Sequence, residues 1–261
     1  MIKELADYHI HSRYSFDSKE KIENICEKAI DMGLSEICMT EHFSVLDYDP
    51  SYDFFEHEKY RKDIDETKEK YKFPIKRGLE IGEGHIKKQE IKKIIDKFDL
   101  DFIIGSIHNI GTLTLRKSLH KYGEEETYKR YFEEVKNIAA QADYDVLGHL
   151  DLVQRYAMEE FHSLYNLQDY ERQISEILEI IIERGKGIEV NTSSLYKEYK
   201  KTFPRLSILK TYYSMGGRII TVGSDAHKSN RVGEGIKEVY EILASVGFSS
   251  VAKFSKRSLI M

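Results

Sequence analysis

The 261-residue chain is 41% hydrophobic and 33% charged, long and apolar enough to bury a sizeable core and not the composition of a disordered chain. Its formal net charge of −5, with no long lysine-arginine run, argues against an electrostatic grip on nucleic acid. No apolar run approaches a membrane span and the first residues lack an apolar signal core, so a cytoplasmic protein acting on a small molecule is expected, with no membrane partner.

Leu5 to His11 reads as a short strand, which places His9 and His11 on one face. Lys19 to Met32 reads as a helix with Ile22, Ile25, Cys26, Ala29 and Ile30 on its apolar face and Gly33 just past its end. Glu36 to Glu41 is the next strand and leads into Thr40-Glu41-His42. The aromatic, acidic stretch from Phe43 to Phe55 reads as an exposed connector, with a lid as the alternative, before a charged helix ending near Tyr71. Cys26 and Cys38, the two cysteines, read as small buried residues rather than as a disulfide, nucleophile or metal ligand.

Pro74 to Gly82 is the third strand, Ile86 to Lys97 a helix, and Phe102 to Ile107 an apolar strand ending on His108. A helix from about Glu124 to Ala142 precedes the strand Val146-Leu147-Gly148-His149. Leu167 to Arg184, with Ile174, Ile177, Leu178 and Ile181 in register and Gly185 as its stop, precedes the strand Gly187 to Asn191. Leu206 to Met215 is a helix, Arg218 to Gly223 a strand, and Gly233 to Val246 a last helix before a basic tail. About seven strand-helix units without a dividing linker predict an α/β fold, a single-domain barrel of the (β/α) type spanning 1–261.

In such barrels the chemistry sits at the carboxyl ends of the strands. Those positions hold His9, His11, Glu41, His42, Glu80, His108, His149, Asp151, Asp225 and His227, which takes in six of the ten histidines of the chain. His57, His120 and His162 fall in helices or loops without a partner pattern, whereas His85 lies just past the third strand and is a candidate substrate contact. Imidazole and carboxylate ligands without cysteine suit Zn, Mn or Fe(II), and a carboxylate can join two ions where an imidazole cannot, a role suited to Glu80. Clustered divalent ions provide what phosphate-ester hydrolysis needs, a nucleophile at neutral pH and neutralisation of phosphoryl charge.

The segments Asp7-Tyr8-His9-Ile10-His11-Ser12, Thr40-Glu41-His42, Gly78-Leu79-Glu80, Gly105-Ser106-Ile107-His108, Gly148-His149-Leu150-Asp151 and Gly223-Ser224-Asp225-Ala226-His227, in this order, resemble the polymerase and histidinol phosphatase (PHP) family of metal-dependent phosphoesterases. The resemblance implies a distorted barrel of seven strand-helix units and three divalent ions. The implied ligand sets are His9, His11, Glu80 and Asp225; Glu80, His108 and His149; and Asp17, His42 and His227. Without the family, Asp17 reads as a helix N-cap before Ser18. By the same resemblance Glu41, Asp7 and Asp151 orient imidazoles, and Glu80, Asp225 and His227 are catalytic, with a hydroxide bridging the two ions that share Glu80 as the nucleophile.

Gly148 to Tyr156 is most similar to the histidinol-phosphate phosphatase branch, which implies L-histidinol phosphate as substrate, a place in histidine biosynthesis and Arg155 as a phosphate contact. A second arginine expected after Asn191-Thr192-Ser193-Ser194-Leu195 is missing, since Tyr196 and Lys197 follow; Lys197, Arg205 and Arg116 are the alternatives for its role. Two rival readings are another phosphoesterase of the same family, acting on a nucleotide, an oligonucleotide end or phosphotyrosine, and a non-catalytic metal-binding module. The sequence does not specify an oligomeric state.

Overall fold

The structure, a computed structural model, describes residues 4–260. Strand and helix alternate from the start: β1 (Ala6–Ile10), α1 (Ile22–Asp31), β2 (Glu36–Phe43), α2 (His57–Tyr71), β3 (Ile75–Gly82), α3 (Lys88–Ile95) and β4 (Phe102–Ser106). A small hairpin, β5 (Asn109–Ile110) and β6 (Leu113–Thr114), then leads into α4 (Leu115–Tyr122) and α5 (Glu124–Gln141). The second half continues with β7 (Val146–Leu147), α6 (Val153–Phe161), α7 (Leu167–Glu183), β8 (Gly187–Asn191), α8 (Leu206–Ser214), β9 (Ile220–Gly223) and α9 (Ile236–Val246), and ends in a hairpin of β10 (Lys253–Ser255) and β11 (Ser258–Ile260).

Seven parallel strands form one sheet in the order β1-β2-β3-β4-β7-β8-β9. The first and last strands meet where Asp225 N donates to His9 O at 2.7 Å and His11 N to Ala226 O at 2.9 Å, so the sheet curls into a nearly closed barrel. Helices cover its outside with the stripes the periodicity predicts: Ile22, Ile25, Cys26 and Ala29 of α1 and Ile174, Ile177, Leu178 and Ile181 of α7 are buried. Ile30 is the exception at 42% exposed, because it lies about 100° beyond Ala29, off the edge of the stripe. Gly33 and Gly185 do end their helices, each with positive φ.

Three features depart from the expected elements. The β5-β6 hairpin, α4 and α6 were not anticipated, and strands of two residues leave no periodicity to read. The basic tail folds as a hairpin whose Phe254 packs with Ala6, Tyr8, Cys38, Phe102, Ile104 and Val146 to fill the amino-terminal end of the barrel. Arg257 fastens it, with Nε 2.8 Å from Asp145 and Nη2 2.8 Å from Asp143.

The pairing of β1 with β2 shifts register by one residue between Asp7 and Ile10. Such a bulge lets Tyr8 and His9, neighbours in sequence, both face the barrel interior. Tyr8 joins the apolar plug, its ring edge-on to Phe102 at 5.2 Å, while His9 and then His11 turn toward Glu80. A regular strand would aim either Tyr8 or His9 outward.

Candidate metal centre

Six barrel strands deliver side chains to the carboxyl end. His9 Nε2 lies 3.2 Å from Glu80 Oε2 and 3.7 Å from Asp225 Oδ1, and His11 Nε2 lies 3.5 Å from each of these oxygens. Four ligands placed about 2.1 Å from one tetrahedral ion stand about 3.4 Å apart, so the spacing fits a shared divalent ion. His9 Nε2 and His11 Nε2 are moreover buried without a hydrogen-bond partner among the described residues, a costly state that a metal relieves.

The other oxygen of Glu80, Oε1, faces a second group, 3.1 Å from His108 Nε2 and 2.8 Å from His149 Nε2. A third forms around Asp17 Oδ2, 3.4 Å from His42 Nε2 and 3.1 Å from His227 Nε2. The groups overlap: His42 Nδ1 comes within 3.1 Å of Glu80 Oε2, and the His42 and His227 rings each stack on His11 at 4.2 Å. Triads of donors within reach of one ion therefore cut across the three sets, joining His11 with His42 and His227, and His42 with Glu80 and His108.

Two buried acids fix the imidazoles of His9 on β1 and of His11 just past its end from behind. His9 Nδ1 bonds Glu189 Oε1 at 2.5 Å, and Glu189 Oε2 accepts the His149 backbone N–H at 2.8 Å. His11 Nδ1 meets Ser15 Oγ at 3.1 Å, and that hydroxyl donates to Glu41 Oε2 at 2.6 Å. Both arrangements give the Nδ1 proton an acceptor and turn Nε2 to the centre. Gly223 makes the first possible, since a Cβ there would fall into the His9 side chain and the Glu189 carboxylate. Asp225 takes φ 55°, a left-handed backbone that aspartate adopts more readily than most residues other than glycine.

The charges are tightly coupled. Burial would lower the His9 pKa, but the Glu189, Glu80 and Asp225 carboxylates hold it well above the ordinary value. Burial would likewise raise Glu80 and Asp225, yet the surrounding imidazoles, with Arg155 beside Asp225, hold both well below the usual carboxylate range. His11 goes the other way, pushed down by burial and by His42 and His227. Ionised carboxylates around a neutral imidazole are the donor set a divalent cation takes.

The groups open into a cavity of about 350 Å³ that Arg155, Arg116, Tyr156, Phe16, Asp49 and Asn109 also line. Arg155 Nη2 donates to Asp225 Oδ2 at 3.1 Å and to Ser193 Oγ.

The model of the PHP domain matches residues 7–193. The chain belongs to the PHP domain family. Among PHP relatives it is 33% identical over 259 residues to the probable histidinol-phosphatase of Clostridium acetobutylicum, covering 96% of this chain and 97% of that one. It is 30% identical over 257 residues to the probable histidinol-phosphatase of Thermotoga maritima, covering 97% of each. The histidinol phosphate phosphatase of Lactococcus lactis, solved with zinc, L-histidinol and phosphate, superposes with a TM-score of 0.89 at 29% identity over 99% of both chains. The PHP match ends at Ser193, so Asp225 and His227 lie beyond it and reach the centre through closure of the barrel.

All nine ligand-type residues expected of the PHP pattern converge, including Asp17, whose N-cap reading does not hold because α1 starts at Ile22 with Lys21 as its cap. Other expectations need correction. His85 does not line the cavity, since its Nε2 bonds Glu134 at 2.8 Å on α5. Among the described residues Asp7 makes no hydrogen bond to an imidazole ring; it accepts backbone N–H groups of His9, Ser224 and Gly233 and so ties β1 to β9. Asp151 turns from His149 to Tyr165 and Arg205, which takes Arg205 out of the cavity. Glu41 does orient His11, but through Ser15. Arg116 lines the cavity, held by Glu159 and Glu160, and Lys197 borders an adjoining groove with Arg155 and Ser193. In the Phe43–Phe55 stretch Val45, Leu46 and Ser51 are buried, Asp49 and Pro50 border the cavity, and Tyr52 and Phe54 are exposed.

Glu189 and Ser15 escaped the sequence reading. The signal for Glu189 was a charge inside the apolar run Gly187-Ile188-Glu189-Val190, which only a buried partner explains. Ser15 carried none. Among the described residues no helix is long and apolar enough to cross a membrane.

Proposed function

We propose that this chain is a metal-dependent phosphomonoesterase that hydrolyses L-histidinol phosphate to L-histidinol and inorganic phosphate, a step of histidine biosynthesis in the cytoplasm, and that 1–261 act as one catalytic domain. The observation that carries the substrate is the superposition, over 99% of both chains, on the Lactococcus lactis enzyme that holds zinc, L-histidinol and phosphate. The donor set of the centre supports the reaction class independently.

His9, His11, Glu80 and Asp225 would hold one ion, Glu80, His108 and His149 a second, and Asp17, His42 and His227 a third. The divalent ions, when bound, supply a nucleophile at neutral pH and offset charge on the phosphoryl oxygens. Glu80 couples two groups because its two oxygens face different imidazoles, Oε2 toward His9 and His11 with His42 beside them, Oε1 toward His108 and His149. Arg155, steadied by Asp225 and Ser193, offers its remaining guanidinium donors to a phosphoryl oxygen. Glu189 and the Ser15-Glu41 pair keep His9 and His11 aimed, so positioning and charge neutralisation carry the rate.

The test is phosphate release from L-histidinol phosphate beside nucleotides, sugar phosphates and phosphotyrosine, with Zn, Mn or Fe(II) supplied in turn. A clear preference for L-histidinol phosphate is expected. Equal or better turnover of another ester overturns the substrate, and bound metal without phosphate release overturns the enzyme.

A further inference from the structure

Four carboxylates line the cavity: Asp17, Asp49, Glu80 and Asp225. Three of them face imidazoles in the metal-type groups. Asp49 does not. It belongs to the wall after β2 and is only 8% exposed, yet its carboxylate partners among the described residues are Ser51 and Asn109, neither of them a cation. Ser51 N donates to Oδ1 at 2.8 Å and Asn109 Nδ2 to Oδ2 at 3.2 Å. The Asn109 amide is itself fixed by Glu83 Oε2 at 3.1 Å. Asp49 is thus a carboxylate held still at the cavity wall with its charge uncompensated, and burying such a charge is costly unless a cation completes it.

L-Histidinol phosphate brings one. Its ammonium stands on the carbon next to the ester carbon, so whatever binds it must border the cavity close to the centre that holds the phosphate. Asp49 meets that requirement: a Cβ built on Gly82 would lie 3.5 Å from His108 Nδ1 and 3.9 Å from Asp49 Oδ2, which puts the carboxylate and an imidazole of the second group beside the same bare glycine. We propose that Asp49 pairs with the α-ammonium of the substrate and selects an amino-alcohol phosphate over neutral phosphomonoesters. The inference rests on the histidinol-phosphate reading.

The metal-loaded wild-type enzyme and its Asp49→Asn variant are assayed on L-histidinol phosphate and on imidazolylpropyl phosphate, the analogue that lacks only the amine. Asp49→Asn is expected to lose roughly 10- to 100-fold in kcat/KM on L-histidinol phosphate, mostly through KM, the range of one charge-assisted hydrogen bond. On the analogue it should match wild type, and its metal content should be unchanged. Equal loss on both substrates, or loss of metal, would make Asp49 a positioning residue for His108 and overturn the proposal. Should the variant not fold, wild type decides: it must prefer the amine-bearing substrate by a similar factor, and equal turnover of the two refutes the pairing. Wild type that favours nucleotides or sugar phosphates over both compounds refutes the substrate reading instead.

Discussion

Glu189 and His9, 180 positions apart in the chain, meet at 2.5 Å through Oε1 and Nδ1 inside the barrel. The same carboxylate accepts the His149 backbone N–H, so one buried acid sets the orientation of an imidazole in the first group and the chain position of another in the second. Glu189→Gln keeps the volume and loses the charge. It should weaken metal binding or activity about 10- to 100-fold, the usual effect of removing the group behind a metal-binding histidine. Zinc titration against a chromophoric chelator measures this, and wild-type affinity together with wild-type turnover would show that Glu189 only fills space.

Glu80→Ala removes both oxygens that join the first two groups. Turnover should be abolished and bound metal reduced, as counted by elemental analysis of the purified protein. His227→Ala should empty the group around Asp17 and also abolish turnover. Full activity in either variant contradicts the three-set assignment.

Arg155→Ala should chiefly raise KM, by a factor corresponding to about 1.5 to 3 kcal/mol for a charge-assisted bond, with metal content retained. Unchanged substrate affinity would take Arg155 away from the phosphate.

Metal uptake should release protons. Burial would lower the His42 pKa, but the Glu80 and Asp17 carboxylates raise it to about 10 in the metal-free chain, and carboxylate neighbours raise His9, His108 and His227 as well despite their burial. At about 10 the His42 imidazole is protonated at neutral pH, so an ion gains its nitrogen only as the proton leaves, and affinity must fall as pH falls. Zinc added to metal-free protein in weak buffer at pH 7.5 should release about one proton per chain. Binding without acidification would contradict the protonated resting state.

Phe254→Ala should destabilise the protein by about 3 to 5 kcal/mol, the range for deleting a buried phenylalanine. Phe254 is 4% exposed and its ring lies 5.0 Å from that of Phe102 in the plug. Chemical denaturation reads the loss. Metal stoichiometry should stay as in wild type, because the plug and the centre occupy opposite ends of the barrel.

The sequence by itself determined the strand-helix alternation, the stripes of α1 and α7 and eight of the nine ligand-type residues, with Asp17 added only by the resemblance to the PHP family. Apolar periodicity is local, and barrel strands end where such residues collect. It could not supply the bulge in β1, the hairpin plug around Phe254 or the reach of Glu189 to His9, because each depends on pairing between distant segments. For the same reason Asp7 and Asp151, each two residues from His9 or His149, bond away from the imidazole rings, and His85 turns to Glu134. Which side chains stand at the site was written in the order of residues; which atoms face each other was decided by closure of the barrel, where burial forces every polar group to find a partner.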